Sequence, residues 1–496
     1  MRIADCGLKF SRKRRLSVVR QSDRIMSSHL KSSDFDLAVL GGGSAGYAAA
    51  RTAGAAGLRT IVIEGGDEVG GLCILRGCMP SKALLYAAEV LHLARHGRTW
   101  GLRIPKASFD FPSVMARKRA MVEDFASYRR QQLDNGQFKF LRAQARFLDA
   151  HTLEIQEGDG KMRRITAQNF VVSTGSVPAP PPCPGLVETG FWTSDHALAA
   201  NTPPRSLIVL GAGPVALELA QFYLRMDVKV TLLQRSPQLL RDDDADAASA
   251  LEGALRREGM KIFAPTKLIR ARRQGRKKTV EFEHDGRSRR VTASEILVAM
   301  GRIPNTSDLA LEKAGVRTEH GRILTDARMR SNVPHIYAAG DCAGPHQFVH
   351  LAVEQGEVAA HNIAHPRKPR RMDYRLLTSI VFTEPQVATV GLTEKAARAQ
   401  AIPYLAASYP FADHGKSLIM DAKEGFVKLL AQPKTGEILG GACVGPIGGE
   451  LIHEITAAMY KRMTVHELAA MPHYHPTLAE IWTYPAAELA EKINVR

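Results

Sequence analysis

The apolar positions fall into short runs separated by longer segments of helical character. Asp36-Leu-Ala-Val-Leu40 is one such run; it breaks at a glycine-rich turn and continues into an alanine-rich segment. Thr60-Ile-Val-Ile63 follows and ends at Glu64. The pattern returns at Leu207-Ile-Val-Leu210, again with glycines and a helical segment behind it. Strand, turn and helix in this order predict βαβ units with parallel sheets. Residues 83 to 94 have the apolar spacing of a helix that ends near Gly97. From about Leu376 the pattern changes: Phe426-Val-Lys-Leu-Leu and Ile438-Leu-Gly-Gly-Ala-Cys-Val predict an antiparallel sheet, with a helix near Glu450 to Arg462.

Composition places the chain among ordinary globular proteins. Its 496 residues suffice for three or four domains, and 45% of them are apolar. No run of 18 apolar residues occurs, so no membrane span is expected. The net charge of +17 raises the question of nucleic acid, but much of the excess is local. In residues 1–33, Arg2, Lys9, Arg12, Lys13, Arg14, Arg15, Arg20, Arg24 and Lys31 face only Asp5 and Asp23. This tail lacks the apolar core of a secretory signal and predicts a disordered extension, with Met26 as the alternative start. The second basic cluster, Arg270 to Lys278 with Arg287 to Arg290, brackets an alternating Thr279-Val-Glu-Phe-Glu segment. That spacing predicts a solvated hairpin rather than a nucleic-acid surface. The six cysteines, 6, 73, 78, 183, 342 and 443, form no evenly spaced framework. Apart from one pair they are expected as free thiols in a reducing cytoplasm.

Two glycine turns carry the first candidate chemistry. Gly41-Gly-Gly43-Ser44-Ala-Gly46 and Gly211-Ala-Gly213-Pro-Val-Ala216 each follow a strand and open a helix. Glycines here let the backbone approach a pyrophosphate lying on the helix N-terminus, so two dinucleotide sites are predicted. Glu64 stands at the offset of a carboxylate that binds a ribose hydroxyl.

The second candidate is Gly70-Gly71-Leu-Cys73-Ile-Leu-Arg-Gly-Cys78-Met-Pro-Ser-Lys82. Five residues of helix rise about 7.5 Å, whereas a disulfide needs Cα atoms within about 7 Å. A bridge between Cys73 and Cys78 therefore requires a bend, which Gly77 would allow. Pro80 suits a first helical turn and places Cys78 at a helix N-terminus, where a thiolate is stabilised. Lys82, four residues on, would share its face. The bland alternative is two buried cysteines and a surface lysine.

This stretch resembles the redox-active disulfide of the class I flavoprotein disulfide reductases, the family of dihydrolipoyl dehydrogenase, glutathione reductase and mercuric reductase. The matches run from about Asp34 to the C-terminus. One departure stands out: the family has Asn and then a small or β-branched residue where this chain has Leu75 and Arg76, which leaves the substrate open. The resemblance implies an α/β fold with two Rossmann-like domains, for FAD and NAD(P), and an α+β C-terminal dimerisation domain. It divides the chain at 34–182 (FAD, first part), 183–305 (NAD(P)), 306–375 (FAD, second part) and 376–496 (dimerisation), with Pro178 to Pro184 as a linker and Cys183 incidental to it. Cys78 becomes the flavin-facing thiolate and Cys73 the sulfur that exchanges with substrate. Lys82 and Glu218 poise the flavin, and Asp341 closes over its ribityl chain. Gly71, Gly175 and Gly301 line cofactor crossings. His475 and Glu480, in His475-Pro-Thr-Leu-Ala-Glu480, become an acid/base pair donated across a homodimer. On spacing alone Thr477 and Glu480 read as a capping box, and His473 has no assigned role.

The implied reaction is electron transfer between NAD(P)H, FAD, the cysteine pair and a small disulfide or dithiol, in either direction. Dihydrolipoamide or a protein-bound lipoyl group is the first substrate reading. The alternatives are an NADPH-dependent reductase of a low-molecular-weight disulfide and a mercuric reductase. The last is suggested by Val215-Ala-Leu-Glu-Leu-Ala-Gln221 and Gln347-Phe-Val, and opposed by the lack of a cysteine pair near the C-terminus. For the coenzyme, Glu64 lies 23 residues after Gly41, and the same offset from Gly211 falls on Gln234. The second site lacks the acid; Arg235 and Arg241 follow, and Ala212 and Ala216 replace glycines. NADP(H) is therefore favoured over NAD(H).

Overall fold

The computed structural model describes residues 33–493. The expectations for the basic tail, Cys6 and Met26 lie outside them.

Three sheets carry the chain. In the first, Phe35–Leu40 is flanked in parallel by Thr60–Glu64 and Met162–Val172, and Lys139–Phe147 extends the sheet beyond Thr60–Glu64. The strands Lys139–Phe147 and Met162–Val172 are long enough to leave this sheet at one end. There Thr152–Glu157 joins them as an antiparallel meander. The last parallel strand, Ile336–Ala338, pairs with Met162–Val172, so this sheet is completed only after the chain has made a second one. That second sheet has the order Glu295–Val298, Ser206–Leu210, Lys229–Leu233, Lys261–Phe263, all parallel. Arg302–Pro304 and Ser176–Pro178 pair where the chain leaves and re-enters the first unit. The βαβ pattern read from the apolar runs is thus the observed α/β architecture.

The basic cluster is a three-stranded antiparallel sheet, Lys267–Gln274, Lys277–His284 and Arg287–Ala293. Arg270 and Arg272 both pair with Glu281, and the arginines stand exposed, as a solvated hairpin requires. The third large sheet is antiparallel throughout, in the order Thr378–Val381, Gln386–Gly391, Ile438–Gly445, Phe426–Ala431, Leu405–Pro410. Its helix spans Gly448–Tyr460. Cys183 is buried against Leu186 and Ala271 in the core of the second unit, so it is a packing residue rather than part of an exposed linker.

Two features fix the parts relative to one another. Helix Cys78–Arg95 buries Leu84, Ala88 and Leu91 in one apolar cluster with Leu207, Val209 and Leu217 of the second unit and Val381, Val387 and Val444 of the third sheet. The cysteine segment is therefore anchored where all three units meet. Lys428, on a central strand of the third sheet, buries its ammonium among Asp244 (2.9 Å), Asp246 (2.7 Å) and Glu394 (3.0 Å). Asp244 also accepts from the backbone N–H groups of Glu394 and Lys395, so one cation and one carboxylate lock the second unit to the third.

Replacing Lys428 by Met leaves these carboxylates without their cation. The expected loss is about 3 kcal/mol, at the low end for a broken buried pair because Asp246 and Glu394 reach water. It is read as a lower urea midpoint; an unchanged midpoint contradicts the locking role.

Candidate functional site

The cysteine segment bends as its glycine allows. A six-residue helix, Gly71–Arg76, stops at Gly77, and helix Cys78–Arg95 starts at the next residue. A Cβ at Gly77 would stand 2.9 Å from the Leu72 carbonyl oxygen and 3.2 Å from the Cys73 Cα, so only glycine fits the fold-back. Both cysteines are thiols in this structure. They differ sharply in proton affinity. The Cys78 thiol is pulled down to about 7, chiefly because the Cys73 S–H donates to it; burial opposes this, and the Lys82 ammonium and the first-turn N–H of Cys78 assist. Cys73 is pushed far above the ordinary thiol range by the same hydrogen bond and by burial. The pair thus carries one anion, on Cys78, and one proton, on Cys73.

Lys82 is held by Glu218 across the junction of the units. Its Nζ lies 2.8 Å from Glu218 Oε2 and 4.5 Å above the Phe382 ring. Glu218 is almost fully buried, and its other oxygen accepts from the Phe382 N–H at 3.0 Å. Three residues on, Gln221 takes the Glu384 N–H and donates to the Glu384 carbonyl, both at 2.8 Å. The Pro214–Arg225 helix is thereby stitched to the turn between strands Thr378–Val381 and Gln386–Gly391 of the third sheet.

At the first glycine turn, Gly41 has φ +99, and a Cβ on Gly46 would overlap the Gly41 carbonyl. Ser44 is the first residue of the helix Ser44–Ala55. Gly71 backs onto Gly43, where an added Cβ would come within 2.8 Å of the Gly43 Cα, so the two backbones form a narrow cradle free of side chains. Glu64 lies at its mouth and accepts from the Gly42 and Gly66 N–H groups at 2.8 Å each. Gly175 and Gly301, both with positive φ, flank the crossing strands, and Asp341 accepts from Ser176 Oγ at 2.6 Å. Arg302 donates to Ser176 Oγ (2.8 Å) and to its carbonyl (2.6 Å), which holds the crossing in place. This donor set fits FAD: a dipole-lined cradle for a pyrophosphate, carboxylates at both sugar ends, and the thiolate with Lys82 beyond.

The second turn repeats the cradle with Gly211 at φ +106, Gly213 capping Pro214–Arg225, and Ala216 fully buried. Gln234 is buried and committed to its own loop. Its amide donates to the Gln238 carbonyl at 3.3 Å, and its oxygen accepts from the Arg235 N–H at 3.2 Å. Arg235 is exposed and has no carboxylate partner among the described residues, whereas Arg241 turns to Asp242 at 3.2 Å.

His475 stands out from the surface, its side chain 76% exposed, with Nδ1 3.0 and 3.2 Å from the Glu480 oxygens. Glu480 is buried and its N–H reaches Thr477 Oγ1 at 3.4 Å, so the capping contact and the carboxylate–imidazole contact coexist. His475 bonds to Glu480 and to neither cysteine. His473 is a structural residue, tied to Glu454 at 2.7 Å and to the Met471 carbonyl.

Two neighbours were not read from the sequence. Arg129 lies over the Tyr47 ring at 4.1 Å, its Nε is buried without a partner, and Cys73 is close enough to act on its charge. His414 is buried against the far side of Glu480. Neither sits in a motif, because each reaches the site through tertiary packing alone. In the departing positions, Leu75 packs on Gly70, and Arg76 pairs with Glu68 and approaches Asp195 at 3.9 Å.

Comparison with known proteins agrees with this geometry. The Pyridine nucleotide-disulphide oxidoreductase family matches residues 35–356, and its dimerisation domain matches residues 377–486. The chain is 36% identical to a dihydrolipoyl dehydrogenase of Thermus scotoductus over 456 residues, covering 90% of this chain and 95% of that protein. It is 34% identical to a mercuric reductase of Shewanella putrefaciens over 447 residues, covering 90% of this chain and 79% of that one. Among solved structures, LpdA of Mycobacterium tuberculosis superposes with a TM-score of 0.83 at 28% identity, over 91% of this chain and 99% of that chain. RclA of Escherichia coli, an HOCl-induced flavoprotein disulfide reductase solved as a Cu(II) complex, gives 0.82 at 25% identity, over 92% and 100%.

In the reduced protein, the long-wavelength absorbance of a thiolate lying on flavin should titrate near pH 7. It should persist in Cys73→Ser and vanish in Cys78→Ser. Lys82→Met removes the nearby cation and leaves Glu218 facing the sulfur, so its titration should move to higher pH. A midpoint that does not move contradicts the assigned role of Lys82.

Proposed function

Since the chain belongs to the pyridine nucleotide-disulphide oxidoreductase family and is an FAD-dependent disulfide oxidoreductase, we propose that Cys73 and Cys78 exchange electrons between NAD(P)H and a small disulfide, with Cys73 meeting the substrate. The observation that carries this reading is geometric: Cys78 opens helix Cys78–Arg95 beside the Lys82–Glu218 pair, and Cys73 lies across the bend at Gly77 on the preceding short helix. Bound FAD supplies a carrier that takes the electron pair of a reduced nicotinamide and passes it to the cysteine disulfide. Lys82, clamped by Glu218, lies beside the Cys78 thiolate and holds that negative charge toward the flavin. We assign residues 34–182 and 306–375 to the FAD unit, 183–305 to the nucleotide unit and 376–496 to dimerisation.

The substrate half-reaction follows from the proton on Cys73. To attack a substrate disulfide, Cys73 must first lose that proton, which among the described residues is engaged by the Cys78 sulfur and by no histidine or carboxylate. His475 is exposed, is fixed by Glu480 through Nδ1, and turns its Nε2 lone pair outward. We place His475 of the partner subunit over Cys73. It takes the thiol proton as the Cys73 sulfur bonds to one substrate sulfur and the other leaves as a thiolate, which His475 then protonates. Cys78 next attacks Cys73, re-forming the disulfide and releasing the second substrate thiolate. A homodimer is supported by the dimerisation-domain match and by an exposed apolar stripe on the cysteine helix, Tyr86, Val90 and Leu93, spaced i, i+4, i+7.

A lipoyl-type disulfide, free or protein-bound, is our first substrate assignment, after the dihydrolipoyl dehydrogenases among its relatives. A second reading, an NADPH-dependent reductase of a low-molecular-weight disulfide, is favoured by the second nucleotide site. There Gln234 is occupied by its loop, and Arg235 beside it is exposed with no carboxylate partner among the described residues. Turnover against lipoamide, oxidised glutathione and mercuric ion separates these readings; no turnover with either disulfide contradicts both.

Mixed dimers of Cys73→Ser and His475→Ala protein each contain one intact site. They should recover activity that neither parent shows, and inactive heterodimers, beside active wild-type exchange controls, contradict the shared site. For the coenzyme, kcat/KM should favour NADPH about ten- to hundredfold, the value of one or two charge-assisted contacts to a phosphate. Arg235→Ala should remove most of that preference and Arg241→Ala less, because Arg241 is paired with Asp242. Equal use of NADH by the wild type would move the reading to an NAD-linked dihydrolipoyl dehydrogenase.

A further inference from the structure

Glu480 has an imidazole on each side. His475 meets it from the solvent. From the interior, His414 brings Nε2 to 3.4 Å from Oε1, with a side chain fully shielded from water. The His414 ring is held edge-on by Phe411 (centroids 6.5 Å, 82°) and Tyr484 (6.3 Å, 80°). Its Nδ1 lies 2.9 Å from Ser417 Oγ, which is itself buried. Nε2 is buried with no hydrogen-bond partner of good geometry, and the acceptor it faces is Glu480 Oε1 at 3.4 Å.

Burial holds His414 below the ordinary histidine range, against the pull of Glu480, so it is neutral near pH 7. A neutral imidazole has one N–H. Ser417 can donate to Nδ1, whereas an ionised Glu480 can donate nothing, so the proton sits on Nε2 and faces the carboxylate.

We infer that His414 is a positioning residue of the acid/base pair: its Nε2–H fixes the Glu480 carboxylate from behind, so that Glu480 receives Nδ1–H of His475 and leaves the His475 Nε2 lone pair facing outward. The inference rests on the reading of His475 as the acid/base group. A carboxylate with two donors is less basic than one with a single donor. His414 therefore tempers the pull of Glu480 on the His475 proton as well as fixing its direction. The other titratable groups facing this cluster are Tyr484 on the following helix, Tyr409 stacked on it at 4.0 Å, and Asp413, whose carbonyl accepts from the Tyr409 hydroxyl. Glu454 is engaged by His473.

The test compares His414→Phe, His414→Asn and His414→Gln, the last having an amide long enough to replace the Nε2–H. In the Phe and Asn variants the acid limb of the kcat/KM profile for the disulfide should move to higher pH by about half a unit or more, because Glu480 loses a donor. Disulfide turnover should fall about tenfold, while reduction of the enzyme by NAD(P)H keeps its rate. His414→Gln should restore both profile and rate. A profile unmoved in Phe and Asn, with only a lower thermal midpoint, overturns the inference. Should the Phe variant fail to fold, the Asn and Gln pair decides alone. If His475→Ala itself keeps the wild-type profile, the acid/base reading is what fails.

Discussion

The Lys82–Glu218 ion pair is the contact on which the rest of the arrangement depends. It joins the helix that begins at Cys78 to the helix that begins at the second glycine turn, and through the Phe382 N–H it reaches the third sheet. A buried carboxylate is costly unless its oxygens are satisfied; here one takes the ammonium and the other a backbone donor. One consequence is that the cation beside Cys78 is fixed in place. The other is that flavin cradle, nucleotide cradle and dimerisation sheet are set relative to the sulfur by contacts within a few ångströms of the chemistry.

The second constraint is the asymmetry of the cysteine pair. Two thiols in one setting would share a proton evenly. The hydrogen bond from Cys73 to the Cys78 sulfur separates them; burial opposes charge on both, and the Lys82 ammonium with the Cys78 N–H helps keep the charge on Cys78. This makes Cys78 an anion suited to face an electron acceptor, and it leaves Cys73 inert until a base arrives. Among the described residues no histidine or carboxylate engages Cys73, and His475 bonds to Glu480 rather than to either cysteine. On the proposed shared site, the subunit paired through the dimerisation domain would complete each half.

Much of this was legible in the sequence because it is local. Cys73, Gly77, Cys78, Pro80 and Lys82 lie within one bend, and spacing alone dictated the break at Gly77. The glycine turns followed strands and preceded helices, which fixed the βαβ units. His475 and Glu480 are close neighbours in the chain. What sequence could not show is tertiary. Glu218 was paired with Lys82 by resemblance alone; the structure adds the Phe382 N–H on its other oxygen. Gln234 marked only the missing acid; that its amide is committed to Gln238 and Arg235 is a tertiary fact. Arg129 and His414 carry no motif at all, since one is defined by a ring beneath it and the other by a carboxylate far along the chain. Cys183 was read as incidental and is core, because its side chain turns inward against Leu186 and Ala271 while Pro180, Pro182 and Pro184 around it stay exposed.

The central claim, that electrons from the nicotinamide emerge on Cys73 and Cys78, is tested most directly by thiol mapping. The oxidised holoenzyme is mixed anaerobically with one equivalent of NADPH or NADH, quenched with an alkylating reagent, digested and analysed by mass spectrometry. The account predicts new alkylation at Cys73 and Cys78 together, with Cys183, Cys342 and Cys443 unchanged by reduction. Reduction that bleaches the flavin yet leaves Cys73 and Cys78 linked, or that exposes thiols elsewhere, would contradict it.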